Sequence, residues 1–359
     1  MPKYQGAPAA PRDGSGPVGI LLVNSGTPDS ARVRDIRRFL GNLLGDPRVV
    51  ELPRWLWLPI LHGLILPLRP LRSARKYREM HAAGRSPLRA LSDALRSALE
   101  QELTRQSGAT ALVATGMLYS SPAVRDAILG LVERGARRLL VVPLFPQYCG
   151  VTTGAVVDAV GEVLGGLRWV PEVRYVTDYH DHEDHIEALR ATVAAHWATH
   201  GRTGHLLMSW HGVPSAYCDK GDPYHGRCHA TAQLLADALG LREGEWSVAF
   251  QSRFGGGQWL RPYTAGVLES LPSRGVHTAT VVCPGFAIDC LETLQEIEVE
   301  NRARFLRAGG TKLDYVPALN ARPEHVQALT RLIGTHTRGW AERAGARPSG
   351  SFPRVVSLN

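Results

Sequence analysis

The sequence predicts an α/β protein of two doubly wound lobes, each with a four-stranded parallel sheet flanked by helices and with the active cleft between them. Short apolar runs of β type alternate with helix-like segments along the chain, a pattern typical of parallel sheets covered by helices on both faces. In addition, a length of 359 residues exceeds that of one ordinary domain. Four strand-like runs precede and four follow Asp178–Asp184, so we place the boundary between the lobes there.

Eight apolar runs have the length and composition of strands. They are Val18–Val23, Ala111–Thr115, Arg138–Leu144, Val173–Thr177, Leu206–Trp210, Trp246–Gln251, Thr278–Cys283 and Leu313–Val316. The segments between and after them have helical character. They are residues 30–44, 87–106, 121–134, 153–164, 183–199, 229–240, 261–271, 289–308 and 322–343.

The chain divides into five predicted regions. Residues 1–17 form a disordered Pro/Gly/Ala-rich tail, residues 18–178 the first lobe and 179–321 the second, followed by a helix over 322–345 and a tail over 346–359. No secretory signal is visible, because the first apolar run is too short. Five cysteines without a CxxC spacing argue against a secreted disulfide framework, so the predicted location is the cytoplasm.

The loops after the predicted strands hold most of the chemistry-bearing residues. In doubly wound sheets, ligands bind outside the carboxyl ends of the strands. The loops at those ends are NSGTP, TGMLYSSP, PLFPQYC, SWHGVP, QSRFGGGQW and CPGFAIDC. None contains the G-x-G-x-x-G of dinucleotide-binding proteins or a P-loop, so the cleft is predicted to bind another kind of ligand.

A basic segment with an apolar centre accounts for the net charge of +8. Residues 31–90 hold 13 Lys or Arg and 4 Asp or Glu, and they enclose the run WLWLPILHGLILPL at Trp55–Leu68. Prolines and a glycine interrupt this run, which is shorter than the roughly 20 apolar residues of a transmembrane helix. Two interpretations stay open: a buried helix pair with a solvated basic flank, or a rim that grips an apolar anionic ligand or rests on an acidic membrane. Nucleic acid is not predicted as a partner.

An acidic stripe follows the seventh strand. Asp289, Glu292, Glu296 and Glu300 lie at offsets of 3, 7 and 11, which places them along one face of a helix. The i,i+4 rule predicts that Glu298 pairs with Arg302 and Glu300 with Arg304. Glu292 and Glu296 lack such a partner and face each other, which indicates a site for a cation or a proton. The alternative is a capping box, in which Glu292 reaches back to the backbone at Asp289.

His211 in SWHGVP ends the fifth strand, where its side chain can reach the cleft. It is either a hydrogen-bonded structural residue or the partner of the acidic stripe, since histidine and glutamate on facing loops can bind a divalent metal or accept protons. Tyr119, Tyr224, Trp259 and Phe286 lie in loops at the same edge. They either pack beneath the loops or stack on a flat aromatic ligand. The histidines of TDYHDHEDH are interpreted as a solvated hinge.

With these motifs in place, the chain resembles the ferrochelatases over residues 18–322. The motifs that carry the resemblance are GILLVNSGTPDS, GRSPL, PLFPQYCGVTTGA, SWHGVP, KGDPY, FQSRFGGGQWL, PGFAIDCLETLQEI and VPALN. The resemblance implies two Rossmann-like lobes around a porphyrin cleft, with the C-terminal helix returning to the first lobe. It also implies an apolar lip at about residues 52–70.

The resemblance assigns roles to single residues. It implies that His211 and Glu292 are the catalytic pair that binds the metal, and that Asp289 and Glu296 form a proton or metal path. The implied porphyrin-binding residues are Tyr119, Ser86, Tyr224, Trp259, Phe286, Trp57 and Leu64. Two departures from the family stand out. Leu118 replaces an arginine common in the family, and no cysteine follows Cys290, so no iron–sulfur cluster is expected.

The implied function is the insertion of Fe2+ into protoporphyrin IX, the last step of haem biosynthesis, by a lyase that needs no cofactor beyond its substrate metal. The alternatives are a coproporphyrin or other tetrapyrrole chelatase, and a non-catalytic haem- or porphyrin-binding protein. The expected partners are the two substrates and, through the lip, weak peripheral contact with the inner membrane surface. The chain is expected to be a monomer or a homodimer.

Overall fold

A computed structural model describes Tyr4, Gly6 and residues 16–80, 86–108 and 110–340 of the protein. All eight predicted strands are present. They are β1 Val18–Asn24, β2 Leu112–Met117, β3 Arg138–Pro143, β4 Glu172–Tyr175, β5 His205–His211, β6 Trp246–Gln251, β7 Thr278–Val282 and β8 Lys312–Tyr315. The tail predicted over 346–359 and most of the tail over 1–17 lie outside the described residues.

The helices occupy the intervals between the strands. They are α1 Val33–Gly45, α2 Arg54–Ile60, α3 Leu66–Met80, α4 Pro87–Ser107, α5 Val124–Glu133, α6 Ala155–Gly165, α7 Glu183–His200, α8 Ser215–Asp219, α9 Tyr224–Ala238, α10 Thr264–Ser270, α11 Arg302–Arg307 and α12 Pro323–Thr337. Three π-helical segments span Leu61–Ile65, Gly150–Gly154 and Glu292–Asn301, and a short 3-10 helix spans Pro272–Arg274. Within the described residues, no helix combines the length and the apolar character that crossing a membrane requires.

The strands form two four-stranded parallel sheets with the same connectivity. The first sheet has the order β2-β1-β3-β4 and the second has the order β6-β5-β7-β8. In both sheets the first strand of the lobe is central, and the strand order reverses beside it. Ligands bind at such a switch point in doubly wound sheets. In the second lobe this point lies at the end of β5, where His211 is in register with Gln251 of β6.

Helices cover both faces of the first sheet. One core packs α5 and α6 against it, and the other packs α4 and α12. The chain therefore returns to the first lobe at its end, where Leu329, Leu332 and Ile333 of α12 share a core with Leu95 and Leu99 of α4. The second sheet is covered by α7 and α9 on one face and by α10, α11 and the last π-helix on the other.

The segment predicted as one helix over 289–308 is instead a long π-helix followed by α11. A π-helix bonds residue i to i+5, so residues four apart no longer align as they do in an α-helix. The expected pair of Glu300 with Arg304 is accordingly wrong. Glu300 forms an ion pair with Lys76 of α3, and Arg304 pairs with Glu269.

Candidate functional site

Hydrogen bonds to the backbone and to the ring of His211 fix its position. Its Nδ1 lies 2.7 Å from the carbonyl oxygen of Gly212. Because a carbonyl only accepts hydrogen bonds, Nδ1 carries the proton and Nε2 of a neutral ring keeps its lone pair. The Tyr224 hydroxyl donates to the His211 carbonyl oxygen at 2.9 Å. The half-buried imidazole is thus oriented with one nitrogen available as a base or a metal ligand.

Glu292 begins the long π-helix, which starts beside the end of β6. Its backbone oxygen accepts a hydrogen bond of 2.8 Å from Nε2 of Gln251. Its carboxylate lies within electrostatic reach of Arg69, Tyr77 and Cys290. Burial is the main cause that raises the pKa of both the Tyr77 hydroxyl and the Cys290 thiol, and the Glu292 charge adds to it. The neighbours of this carboxylate therefore keep their protons.

Glu296 is one turn further along the same helix and is bound by Ser252. The Ser252 amide donates to Oε1 at 2.8 Å and the Ser252 hydroxyl to Oε2 at 2.5 Å. Burial raises the pKa of Glu296, the two Ser252 hydrogen bonds and His211 oppose this rise, and Glu292 adds to it. Ser252 has a φ of 64°, a left-handed conformation that costs free energy and is concentrated at functional sites. The structure thus brings His211, Glu292 and Glu296 together.

Asp289 does not share this environment. It is 3% exposed, and its carboxylate accepts hydrogen bonds from the Tyr315 hydroxyl at 2.5 Å, the Thr293 hydroxyl at 2.8 Å and Asn320 Nδ2 at 2.8 Å. The backbone amide of Ala318 adds a further bond at 3.3 Å. These donors occupy the lone pairs of the carboxylate. Asp289 thereby fastens the start of the π-helix to the loop after β8, and its place on a proton or metal path stays a prediction.

The capping-box interpretation of Glu292 is excluded by the same contacts. The Asp289 amide, which Glu292 would have to reach, donates instead to Asn320 Oδ1 at 2.9 Å. The Glu292 side chain is consequently not committed to the helix terminus.

Three of the expected porphyrin-binding residues direct their polar atoms into the protein. The Tyr119 hydroxyl donates to Asp46 at 2.8 Å, the Ser86 hydroxyl donates to the Thr27 hydroxyl at 3.2 Å, and Tyr224 is the buried support of His211. Trp259 and Phe286 are only partly buried. The Trp259 ring lies beside Gly212, because a Cβ added at Gly212 would be 3.4 Å from the Cε3 atom of Trp259. This indole therefore adjoins the loop that follows His211, which we call the histidine loop.

The lip segment is both a packed helix pair and an exposed apolar surface. Trp57 is 5% exposed and donates to the Leu44 carbonyl oxygen at 2.7 Å, so the expectation that it faces a ligand is wrong. Leu61 and Leu66 are buried with it against α1. Trp55 is 79% exposed and Leu64 is 58% exposed. The other exposed apolar residues of α2, α3 and their flanks are Leu52, Leu56, Leu58, Ile60, Leu68 and Leu71.

The structure adds two residues that the sequence analysis missed, Gln251 and Ser252, and it gives Arg69 of the basic segment a defined contact. The Arg69 guanidinium lies 4.2 Å from the centre of the Phe254 ring, and its buried Nη1 has no hydrogen-bond partner among the residues that the structure describes. Arg69 thereby connects the lip to the loop after β6. Gln251 and Ser252 bind the π-helix as described above. Both belong to the motif FQSRFGGGQWL, from which only Trp259 had been selected.

The histidine-rich segment TDYHDHEDH is not a solvated hinge. His180 and His185 are buried. The carboxylates of Asp178 and Asp181 lie close enough to His180 to share a cation. The cation present is Arg227, whose Nη2 is 3.4 Å from Asp178 and whose Nη1 is 3.3 Å from His180 Nε2. This cluster is an ion-pair network between α9 and the start of the second lobe.

A family profile and individual relatives both match this chain to ferrochelatases. The profile of the family described as Ferrochelatase matches residues 17–337. The chain is similar to the ferrochelatase of Nitrosococcus oceani, with 48% identity over 325 residues that cover 90% of this chain and 88% of the relative. It is also similar to the ferrochelatase of Bordetella pertussis, with 47% identity and coverage of 92% and 91%. The sirohydrochlorin chelatase SirB from Bacillus subtilis subspecies spizizenii, solved with cobalt, shares the fold with a TM-score of 0.52 at 13% identity, covering 91% of this chain and 98% of that chain.

Proposed function

The chain belongs to the ferrochelatase family of metal chelatases, which are lyases, and from this premise we propose that it inserts Fe2+ into protoporphyrin IX to give protohaem and two protons. The observation that carries this proposal is that His211, whose Nδ1 bonds the Gly212 carbonyl, and Glu292, which does not cap the helix, both adjoin Gln251 at the end of β6. These two groups can bind a divalent cation and accept the pyrrole protons that it displaces.

The protons need a route out of the cleft. Glu296 is the next acidic group, and its burial raises its pKa, so this carboxyl binds a proton more readily than an exposed glutamate does. Ser252 keeps it at a fixed place relative to Glu292. We propose that a proton accepted at His211 or Glu292 passes to Glu296 and then along the π-helix toward Glu300 and Lys76.

The exposed apolar surface of α2 and α3 favours protoporphyrin over coproporphyrin as substrate. Protoporphyrin carries apolar vinyl groups where coproporphyrin III carries further propionates, so an apolar lip suits the former. Anaerobic assays with Fe2+ or Zn2+ should give a higher kcat/KM for protoporphyrin IX. A clear preference for coproporphyrin III would show that this porphyrin is the substrate. Porphyrin binding without metallation would indicate a non-catalytic porphyrin carrier.

We further propose that this surface makes reversible contact with anionic membranes. Protoporphyrin is sparingly soluble, so capture from a bilayer avoids its passage through water. Trp55 and Leu64 offer the exposed apolar side chains, and Arg72 is among the basic residues beside them. Each basic residue near an anionic surface contributes about 1 kcal/mol, which gives weak attachment.

The double substitution Trp55→Ser and Leu64→Ser should reduce sedimentation with anionic vesicles at low salt and raise KM for protoporphyrin. Both side chains are exposed, so the free energy of unfolding should change little. The matched control is Trp169→Ser, which removes another exposed tryptophan, outside the lip. Unchanged vesicle binding in the double variant, or an equal loss in the control, would contradict the proposal.

The cysteines support a cytoplasmic protein without an iron–sulfur cluster. All five are free thiols, as is usual in a reducing compartment. Burial raises the pKa of Cys149, Cys228, Cys283 and Cys290, which disfavours the thiolates that a cluster requires. We propose that the substrate iron is the only metal involved, and acid-labile sulfide in freshly purified protein would contradict this.

A further inference from the structure

We propose that Gln251 is a positioning residue that fixes Glu292 relative to His211 and so controls how the enzyme handles the metal. This inference rests on the proposed function, because it takes His211 and Glu292 as the catalytic pair. Gln251 is 4% exposed and is the last residue of β6. It therefore acts on the substrates through other residues.

The side-chain amide of Gln251 joins the two elements that carry the pair. Its Nε2 donates to the Glu292 backbone oxygen at 2.8 Å, at the first residue of the π-helix. Its Oε1 accepts a hydrogen bond of 2.6 Å from the hydroxyl of Ser209, two residues before His211 on β5. The Ser209 hydroxyl also contacts the Thr264 hydroxyl at 2.7 Å. All three side chains are buried, so these bonds persist without competition from water.

The backbone of Gln251 adds a second connection to the histidine loop. Its carbonyl oxygen accepts a hydrogen bond of 2.8 Å from the Gly212 amide. A Cβ at Gly212 would stand only 3.1 Å from that oxygen, so the two chains approach closely here. The next residue, Ser252, binds the Glu296 carboxylate. The end of β6 is thus hydrogen-bonded on one side to β5, which ends at His211, and on the other side to the π-helix that carries Glu292 and Glu296.

Loss of the Gln251 hydrogen bonds should therefore impair metal binding and insertion while porphyrin binding is unaffected. The Leu294 amide donates to the Cys290 carbonyl oxygen just before Glu292, and among the described side chains the Gln251 amide is the one that bonds the Glu292 carbonyl oxygen. The porphyrin is held by the wider cleft, whereas metal binding depends on the spacing of His211 and Glu292. A small displacement of either group lowers the rate of the step that needs both.

The test is Gln251→Met, which keeps the length of the side chain and removes its donor and acceptor. We expect KM for Zn2+ to rise roughly tenfold and kcat to fall by a similar factor, corresponding to the loss of one or two buried hydrogen bonds. The Kd for protoporphyrin, measured by fluorescence quenching in the absence of metal, should stay within about twofold. Ser209→Ala, which removes only the hydroxyl that donates to Gln251 Oε1, should give a smaller change in the same direction.

The control is Thr231→Val, at a residue in the same lobe as Gln251, which removes the buried hydrogen bonds that Thr231 makes to His180 and to Gln147. It should lower the free energy of unfolding to a similar extent without separating the metal KM from the porphyrin Kd. Parallel changes in both quantities for Gln251→Met, or wild-type kinetics, would overturn the inference. If His211→Ala and Glu292→Gln also turn over normally, the proposed function itself fails; if they are inactive, only the role of Gln251 is refuted.

Discussion

His211→Ala is expected to lower kcat for Fe2+ insertion by about a thousandfold, because it removes the base whose Nε2 is available in the cleft. Porphyrin binding should persist, since the aromatic residues and the lip are unaffected. The variant should fold, because the His211 backbone bonds to Tyr224 and β6 do not involve the imidazole. Fluorescence quenching for binding and anaerobic metallation for turnover provide the measurements.

Glu292→Gln should produce a comparable loss, since the amide can neither accept a pyrrole proton nor neutralise a dication. Its effect on stability should be small, because the Glu292 side chain does not cap the helix. Glu298→Gln is the matched control: it makes the same exchange at an exposed position of the same π-helix and should retain wild-type activity. Near-normal turnover of Glu292→Gln, or an equal loss in Glu298→Gln, would remove this carboxylate from the mechanism.

The second large effect concerns stability in acid. His185 of α7 and His325 of α12 are fully buried, and burial lowers the pKa of His185 to about 3 and that of His325 to about 4. The unfolded chain has both near 6.5 and binds protons first. The free energy of unfolding therefore falls as the pH drops below about 6.5, by up to about 1.4 kcal/mol per pH unit for each histidine.

His185→Phe should flatten this dependence between pH 6.5 and 4. Within the described part of the chain, both ring nitrogens of His185 lack hydrogen-bond partners and the ring packs edge-on against Tyr179, so an apolar ring suits the site. Urea unfolding at several pH values gives the slope. His277→Phe, at an exposed position, should leave the slope unchanged. A slope for His185→Phe that equals the wild-type slope would show that another group carries the acid sensitivity.

The sequence by itself determined the two sheets and the edge at which chemistry occurs. Each strand is a short apolar run bounded by turn residues. The composition of such a run indicates a buried strand without any knowledge of distant parts of the chain. His211 and Glu292 could likewise be selected, because both follow strand ends and the carboxyl ends of parallel strands share one edge. These inferences require only local pattern and the rules of sheet topology.

Only the tertiary structure decided which of the selected residues are free to act. Asp289 and Glu292 look equivalent along the sequence, but donors from β8 and the loop after it bind Asp289, whereas Glu292 lies beside the Cys290 thiol and the Arg69 guanidinium. Trp57 and Trp55 are two residues apart in one apolar run, yet one lies against α1 and the other faces solvent. The π-helix and the bonds of Gln251 to it are also invisible in the pattern. Hydrogen-bond partners and burial depend on residues distant in the chain, whereas periodicity reports only on near neighbours.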